Sequence, residues 1–321
     1  MMHAIELGSR RILQPGPWRW LRALAWAIAL AAGTAAGSAL PAIIPFVIVG
    51  ALAGVSVTRF AELPGQYQLL GMAIWAVALL ACYAALVRLG EDRRPSELAF
   101  RPALPELAAG LAIGAAMMAA AILLLWLGGW ITIAATLPMA PWRWLTLAVE
   151  SGTLEELAFR AILLRLLWRA FGPWAALAIS ATVFGVGHIF NPNSGLFEAL
   201  CVAIPGVTLA AFYVFTGRLW TSIGVHAGWN FAQGWVFGAA VSGFSIPERG
   251  PIDIAPIAGA PSYLSGGDFG PEASLAGLLV GTSVGALTLW LAWKRGRLTE
   301  PQREADPEIP AAALPDTAPL S

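Results

Sequence analysis

Charge is scarce in this sequence. Only 12% of the 321 residues are charged, where soluble domains carry about 25%. Lysine occurs once, at Lys294, histidine three times and cysteine twice. The formal net charge is zero, which removes the electrostatic case for a nucleic-acid partner. Cys82 and Cys201 both lie in apolar runs and read as small core residues, not as a disulfide framework. A cleaved signal peptide is not expected either. Arg10, Arg11, Arg19 and Arg22 precede an apolar run too long for a signal-peptide core, so that run reads as a retained first span.

What is abundant is apolar. Hydrophobic residues make up 58% of the chain, mean hydropathy is +0.70, and the apolar residues come in blocks of about 20, the length that crosses a hydrocarbon core. This pattern predicts an all-α membrane protein, a polytopic bundle of about eight transmembrane helices. The expected spans are 22–40, 66–88, 106–128, 141–165, 173–190, 196–217, 219–240 and 272–293. The first region continues toward residue 57, with Pro41 and Pro45 as expected interruptions. One crossing before residue 60 puts Arg88, Arg93, Arg94, Arg101, Arg165, Arg169, Arg218, Lys294, Arg295 and Arg297 on the side of the N-terminal arginines. The positive-inside tendency makes that side cytoplasmic, with both termini there and Arg59, Arg143 and Arg249 outside.

The chain divides accordingly into a cytoplasmic segment 1–21, N-terminal transmembrane helices over 22–140, and a motif-bearing core over 141–240. A Gly/Pro-rich outer loop follows at 241–270, then the last transmembrane helix within 271–298, and a Pro, Ala and acid-rich tail over 299–321 expected to be disordered.

Ionisable groups inside spans cost at least about 2.5–3.5 kcal/mol on insertion scales and by default mark functional sites. Three places carry them. In "GTLEELAFRA", Glu156 and Arg160 are four apart and can pair on one helix face. Glu155 points about 100° away and is left as the free carboxylate. In "FGVGHIF", Phe184 and His188 are four apart, and in "HAGWN" so are His226 and Asn230. Phe184 reads as packing beside His188, and each histidine taken alone reads as a hydrogen-bonded core residue. Two histidines in separate spans, beside an unpaired glutamate and a buried amide that needs partners, point further. They supply a general base, imidazole donors and an amide for a carbonyl oxygen, the groups that let water attack an amide bond.

Two forms of that chemistry are open. In one, Glu155, His188 and His226 bind a divalent metal, zinc first, which acidifies a bound water. In the other no metal is used: Glu155 and His188 polarise the water while His226 and Asn230 stabilise the oxyanion. The HExxH arrangement is excluded, because these two histidines are on different helices.

The series EExxxR, FxxxH, HxxxN resembles the CPBP family of intramembrane proteases, which includes the type II CAAX prenyl endopeptidases and the bacteriocin-processing and immunity proteins. The resemblance covers roughly residues 141–240. It implies a conical helical bundle with an intramembrane catalytic cavity open toward lipid. It also implies catalytic roles for Glu155, His188 and His226, an oxyanion-type role for Asn230, and supporting roles for Glu156, Arg160 and Phe184. The implied partners are the bilayer and a membrane-embedded or lipid-anchored peptide or protein. An Ala/Arg/Trp-rich composition with one lysine points to a bacterial plasma membrane, where a prenylated substrate is not expected. Two other function classes compete with the endopeptidase. One is a proton or cation transporter using the same carboxylate and histidines, and the other a non-catalytic immunity-type membrane protein.

Overall fold

The computed structural model describes residues 4–54 and 63–298. The tail 299–321 and Arg59, which figure in the expectations above, lie outside the described residues. Helix α1 runs Arg19–Ala53 as one helix through positions 41 and 45, where the sequence reading placed interruptions. Its Ala-rich composition has the strongest intrinsic helix propensity. Helices α2 (Gly65–Glu91) and α3 (Ala103–Leu127) follow. A strand β1 (Ile131–Ala135) and helix α4 (Trp142–Glu150) lead into two π-helical stretches, Ser151–Glu155 and Leu157–Leu164. Helix α5 (Arg165–Phe171) completes that helical tract. Then come α6 (Pro173–Gly187), α7 (Leu196–Thr216) and α8 (Leu219–Phe231), the last ending in a third π stretch, Ala232–Val236. Strand β2 (Ile252–Pro256), a single turn α9 (Ser262–Ser265) and α10 (Leu275–Lys294) close the described chain.

The chain is a multi-pass integral membrane protein. Among the described residues, six helices are long and apolar enough to cross a bilayer: Arg19–Ala39, Gly65–Glu91, Ala103–Leu127, Pro173–Phe190, Leu196–Thr216 and Leu275–Lys294. The two further tracts expected as spans, 141–165 and 219–240, are helical but do not meet that description. They carry the charged and polar motifs, and π turns interrupt them. Helix α8 is buried on nearly every residue from Leu219 to Asn230, so it is an interior helix enclosed by the others.

Close approach of α3 to α8 sets that enclosure. Gly110 and Gly114 of α3 face Gly224 and Gly228 of α8, two small-xxx-small pairs. A Cβ at Gly110 would run into the Thr221 carbonyl, one at Gly114 into the Val225 carbonyl, and one at Gly228 into the Leu111 carbonyl. Such glycine pairs let backbones touch where lipid offers no hydrophobic drive between helices.

The two ends of the bundle differ. At one end β1 and β2 pair antiparallel, with Ile133 opposite Ile254, so the Gly/Pro-rich segment 241–270 contributes one of the two strands. At the other end the arginines form buried networks. Arg165 is fully buried and bidentate on Glu91, with Nη1–Oε2 at 2.8 Å and Nη2–Oε1 at 2.6 Å. Trp26 Nε1 also donates to Glu91, at 2.8 Å. In the loop beyond, Arg93 is bidentate on buried Glu97, both bonds 2.8 Å. Burial raises the Glu97 pKa, but the Arg93 hydrogen bonds and charge outweigh it and hold the carboxyl below its usual range. Ile5, Leu7 and Leu298 pack into one apolar cluster at this end, so both ends of the described chain lie on the arginine-rich side.

Candidate active site

Glu155 closes the first π stretch and Arg160 lies in the second. A π turn bonds residues five apart, and such turns recur at functional sites. Here consecutive glutamates both reach one histidine. His226 Nδ1 lies 3.0 Å from Glu156 Oε1, and His226 Nε2 lies 4.0 Å from Glu155 Oε2. An ionised carboxylate only accepts hydrogen bonds, so Nδ1 carries a proton donated to Glu156 and Nε2 is the nitrogen turned toward Glu155.

The two carboxylates differ in surroundings. Glu156 is fully buried and held on several sides. Ser222 Oγ donates to its Oε2, and Arg160 Nε stands 3.1 Å from the same oxygen. The Arg160 guanidinium is at ion-pair distance without aligned hydrogen bonds, and its face lies over the Phe184 ring, 4.7 Å from the centroid. Glu155 keeps about a quarter of its side chain exposed. Among the described residues its Oε2 is shut from solvent and has no hydrogen-bond partner.

His188 stands at the end of α6. Its Nδ1 is 2.8 Å from the Phe184 carbonyl, which can only accept, so Nδ1 is the donor. Phe184 is the packing hub. Its ring meets His188 at 4.8 Å, His226 at 6.2 Å and Phe159 edge-on at 4.9 Å between centroids. The phenylalanine four residues before His188 thus places the imidazole and covers the Arg160 cation at once.

Asn230 is one turn beyond His226 on α8. Its Nδ2 donates to Ser151 Oγ at 2.9 Å, and Ser151 Oγ donates to the Leu147 carbonyl, also at 2.9 Å. One amide N–H of Asn230 therefore stays uncommitted to that bond.

A cavity of about 510 Å³ is lined by Glu150, Ser151, Glu155, His188, His226, Asn230 and Ser242, among others. Glu150 and Phe244 on its rim are exposed, so it reaches the surface. A narrower extension of about 40 Å³ leads from His188, His226 and Asn230 toward Met117, Leu209 and Gly281. The four expected catalytic residues thus share one cavity, while Glu156 and Arg160 support it from behind.

Residues 137–232 match the family model described as type II CAAX prenyl endopeptidase, Rce1-like. Over these residues the chain is similar to the Rce1-like family. The matched segment holds both glutamates, both histidines and Asn230. No curated protein and no solved structure matches the chain.

Three residues that sequence reasoning passed over belong to this constellation. Ser222 precedes His226 by four, so a Ser-xxx-His-xxx-Asn face on α8 is legible in retrospect. Ser151, four before Glu155, has the same kind of signal. Glu272 has none, because it comes from beyond the outer loop. Among the described residues, no three His, Cys, Asp or Glu side chains stand close enough to enclose a metal ion.

Proposed function

We propose that the protein is an intramembrane endopeptidase that hydrolyses a peptide bond of a membrane-embedded or lipid-anchored substrate with Glu155 as general base. One observation carries this reading. Of two adjacent carboxylates meeting one imidazole, Glu156 is committed to Arg160, Ser222 and His226 Nδ1, whereas Glu155 Oε2 has no partner and faces His226 Nε2 at 4.0 Å. A water between Glu155 and the Nε2 of a neutral His188 has an acceptor on each side.

The reaction proceeds as follows. Glu155 takes a proton from water as the oxygen bonds to the carbonyl carbon. His226, protonated on both ring nitrogens between Glu156 and Glu155, donates its Nε2–H to the oxyanion that forms, alongside the free Asn230 N–H. The carbon–nitrogen bond then breaks, and the proton on Glu155 passes to the leaving amine. Glu156 and Arg160 hold His226 and the helix, and Phe184 holds His188.

A zinc form is the second reading, favoured by Glu155 Oε2 and His226 Nε2 facing each other. His188 does not complete a three-donor set with them, so no step is derived through a metal. The location that fits is a bacterial plasma membrane with both termini in the cytoplasm, supported by both described ends lying on the arginine-rich side.

The test is wild type against Glu155→Ala in detergent, measuring cleavage of a quenched peptide library and bound metal by mass spectrometry. Cleavage that disappears in the variant, with no stoichiometric metal in wild type, supports the glutamate form. One zinc per active chain moves the reading to a metalloprotease. Equal cleavage by both proteins overturns it.

A further inference from the structure

Glu272 lies outside the matched segment, at the foot of α10. It is only 5% exposed, and among the described residues no arginine or lysine pairs with it. A buried carboxylate without a cation is expensive and has to be held by donors. Ser242 supplies two. Its backbone N–H donates to Glu272 Oε1 at 2.7 Å and its Oγ at 2.8 Å. Trp229 Nε1 approaches the other oxygen at 3.4 Å.

These contacts close a chain around the cavity. Trp229 precedes Asn230 on α8. Ser242 sits at φ +48°, a left-handed conformation that a non-glycine residue rarely takes without support. The Ser242 carbonyl accepts from Asn191 Nδ2 at 3.1 Å, and the Asn191 backbone N–H bonds back to the His188 carbonyl at 3.1 Å. Glu272 and Ser242 both line the cavity beside His188 and His226. Glu272 thus ties the helix carrying His226 and Asn230 to the turn carrying His188.

We propose that Glu272 is a positioning residue of the active site, which sets the His188-to-His226 geometry by clamping the Ser242 turn to α8. The catalytic part of this inference rests on the endopeptidase reading above; the geometric part does not. Three variants separate the two. Glu272→Ala removes the clamp, Glu272→Asp keeps the charge but is one methylene too short to hold Ser242 and Trp229 together, and Glu272→Gln keeps an acceptor for Ser242.

The chain has three histidines, so histidine-selective labelling in detergent gives three ring signals, assignable with His3, His188 and His226 variants. The expected result is that Glu272→Ala and Glu272→Asp shift the His188 ring signals and leave those of His3 in place. In the same variants kcat falls roughly tenfold to hundredfold, with KM within about threefold. Glu272→Gln keeps an oxygen for both Ser242 donors but sets an NH2 against Trp229 Nε1, so it falls between Glu272→Ala and wild type in both readouts. If Glu272→Ala does not fold, Glu272→Asp decides. Unmoved His188 signals in a folded Ala or Asp variant, or unchanged kcat there, overturn the proposal. A wild type that cleaves nothing fails the endopeptidase reading alone, and the His188 signals still decide the clamp.

Discussion

One imidazole meets two carboxylates from consecutive residues: His226 is 3.0 Å from Glu156 through Nδ1 and 4.0 Å from Glu155 through Nε2. Neighbouring helical side chains diverge by about 100° in an α-helix, so a shared partner needs either unusual pitch or a long reach. The π stretches on both sides of Glu156 supply the pitch. The arrangement gives the two glutamates separate work, one neutralised in the wall and one turned to the cavity.

The first prediction separates those roles. Glu155→Ala is expected to lower cleavage by at least about 10³-fold while leaving thermal stability near wild type. Glu156→Gln is expected to destabilise, because it leaves Arg160 buried without its counter-charge, a loss on the order of 3–5 kcal/mol. Thermal melts and cleavage rates on both proteins check it; a stable, inactive Glu156→Gln and an unstable Glu155→Ala would reverse the assignment.

Asn230 and Ser151 form the second test. Asn230→Ala is expected to cost roughly 10²–10³-fold in kcat if the amide serves the oxyanion. Ser151→Ala removes only the bond that orients that amide, so its loss should be smaller, about tenfold. A Ser151 variant as impaired as the Asn230 variant would place the hydroxyl itself in the chemistry.

Backbone contact between α3 and α8 gives a third. Gly114→Leu and Gly228→Leu each drive a side chain into a carbonyl of the facing helix and are expected to prevent folding or strongly reduce thermal stability. Gly281→Ala, whose new Cβ meets nothing nearer than Ile204 at 3.8 Å, should fold normally. Size-exclusion profiles and melts of the three proteins compare them directly.

The fourth concerns acid. The Glu97 carboxyl sits below its ordinary value of 4.5 because the Arg93 bonds outweigh burial. A depressed folded pKa contributes stability that is present above 4.5 and lost as pH falls through the lower, folded value. Glu97→Gln should therefore melt about 5 °C or more below wild type at neutral pH, with the gap closing as pH drops below 4.5. A gap independent of pH would show that Glu97 is not ionised in the fold.

The sequence by itself determined the solvent of this protein and the identity of its unusual residues. Apolar blocks of spanning length can only be helices in lipid, since every backbone group must bond within its own segment. Charges and amides in such blocks are costly enough that Glu155, Glu156, Arg160, His188, His226 and Asn230 stand out without any coordinates. Spacing of four also made the Glu156–Arg160 and Phe184–His188 contacts legible, because both are local. Tertiary structure alone decided the rest. Whether a helix faces lipid or lies inside depends on its neighbours, so α8, short and enclosed, read as a span. The pairing of 131–135 with 252–256 joins strands more than a hundred residues apart, and no local pattern ties two such segments together. Arg165 read as a marker of the membrane edge, yet it is buried on Glu91, a partner from α2. Glu272 reaches the cavity only because α10 packs beside α7 and brings its foot to Ser242. Local spacing encodes contacts within one helix; contacts between helices are set by packing, and packing is a property of the whole chain.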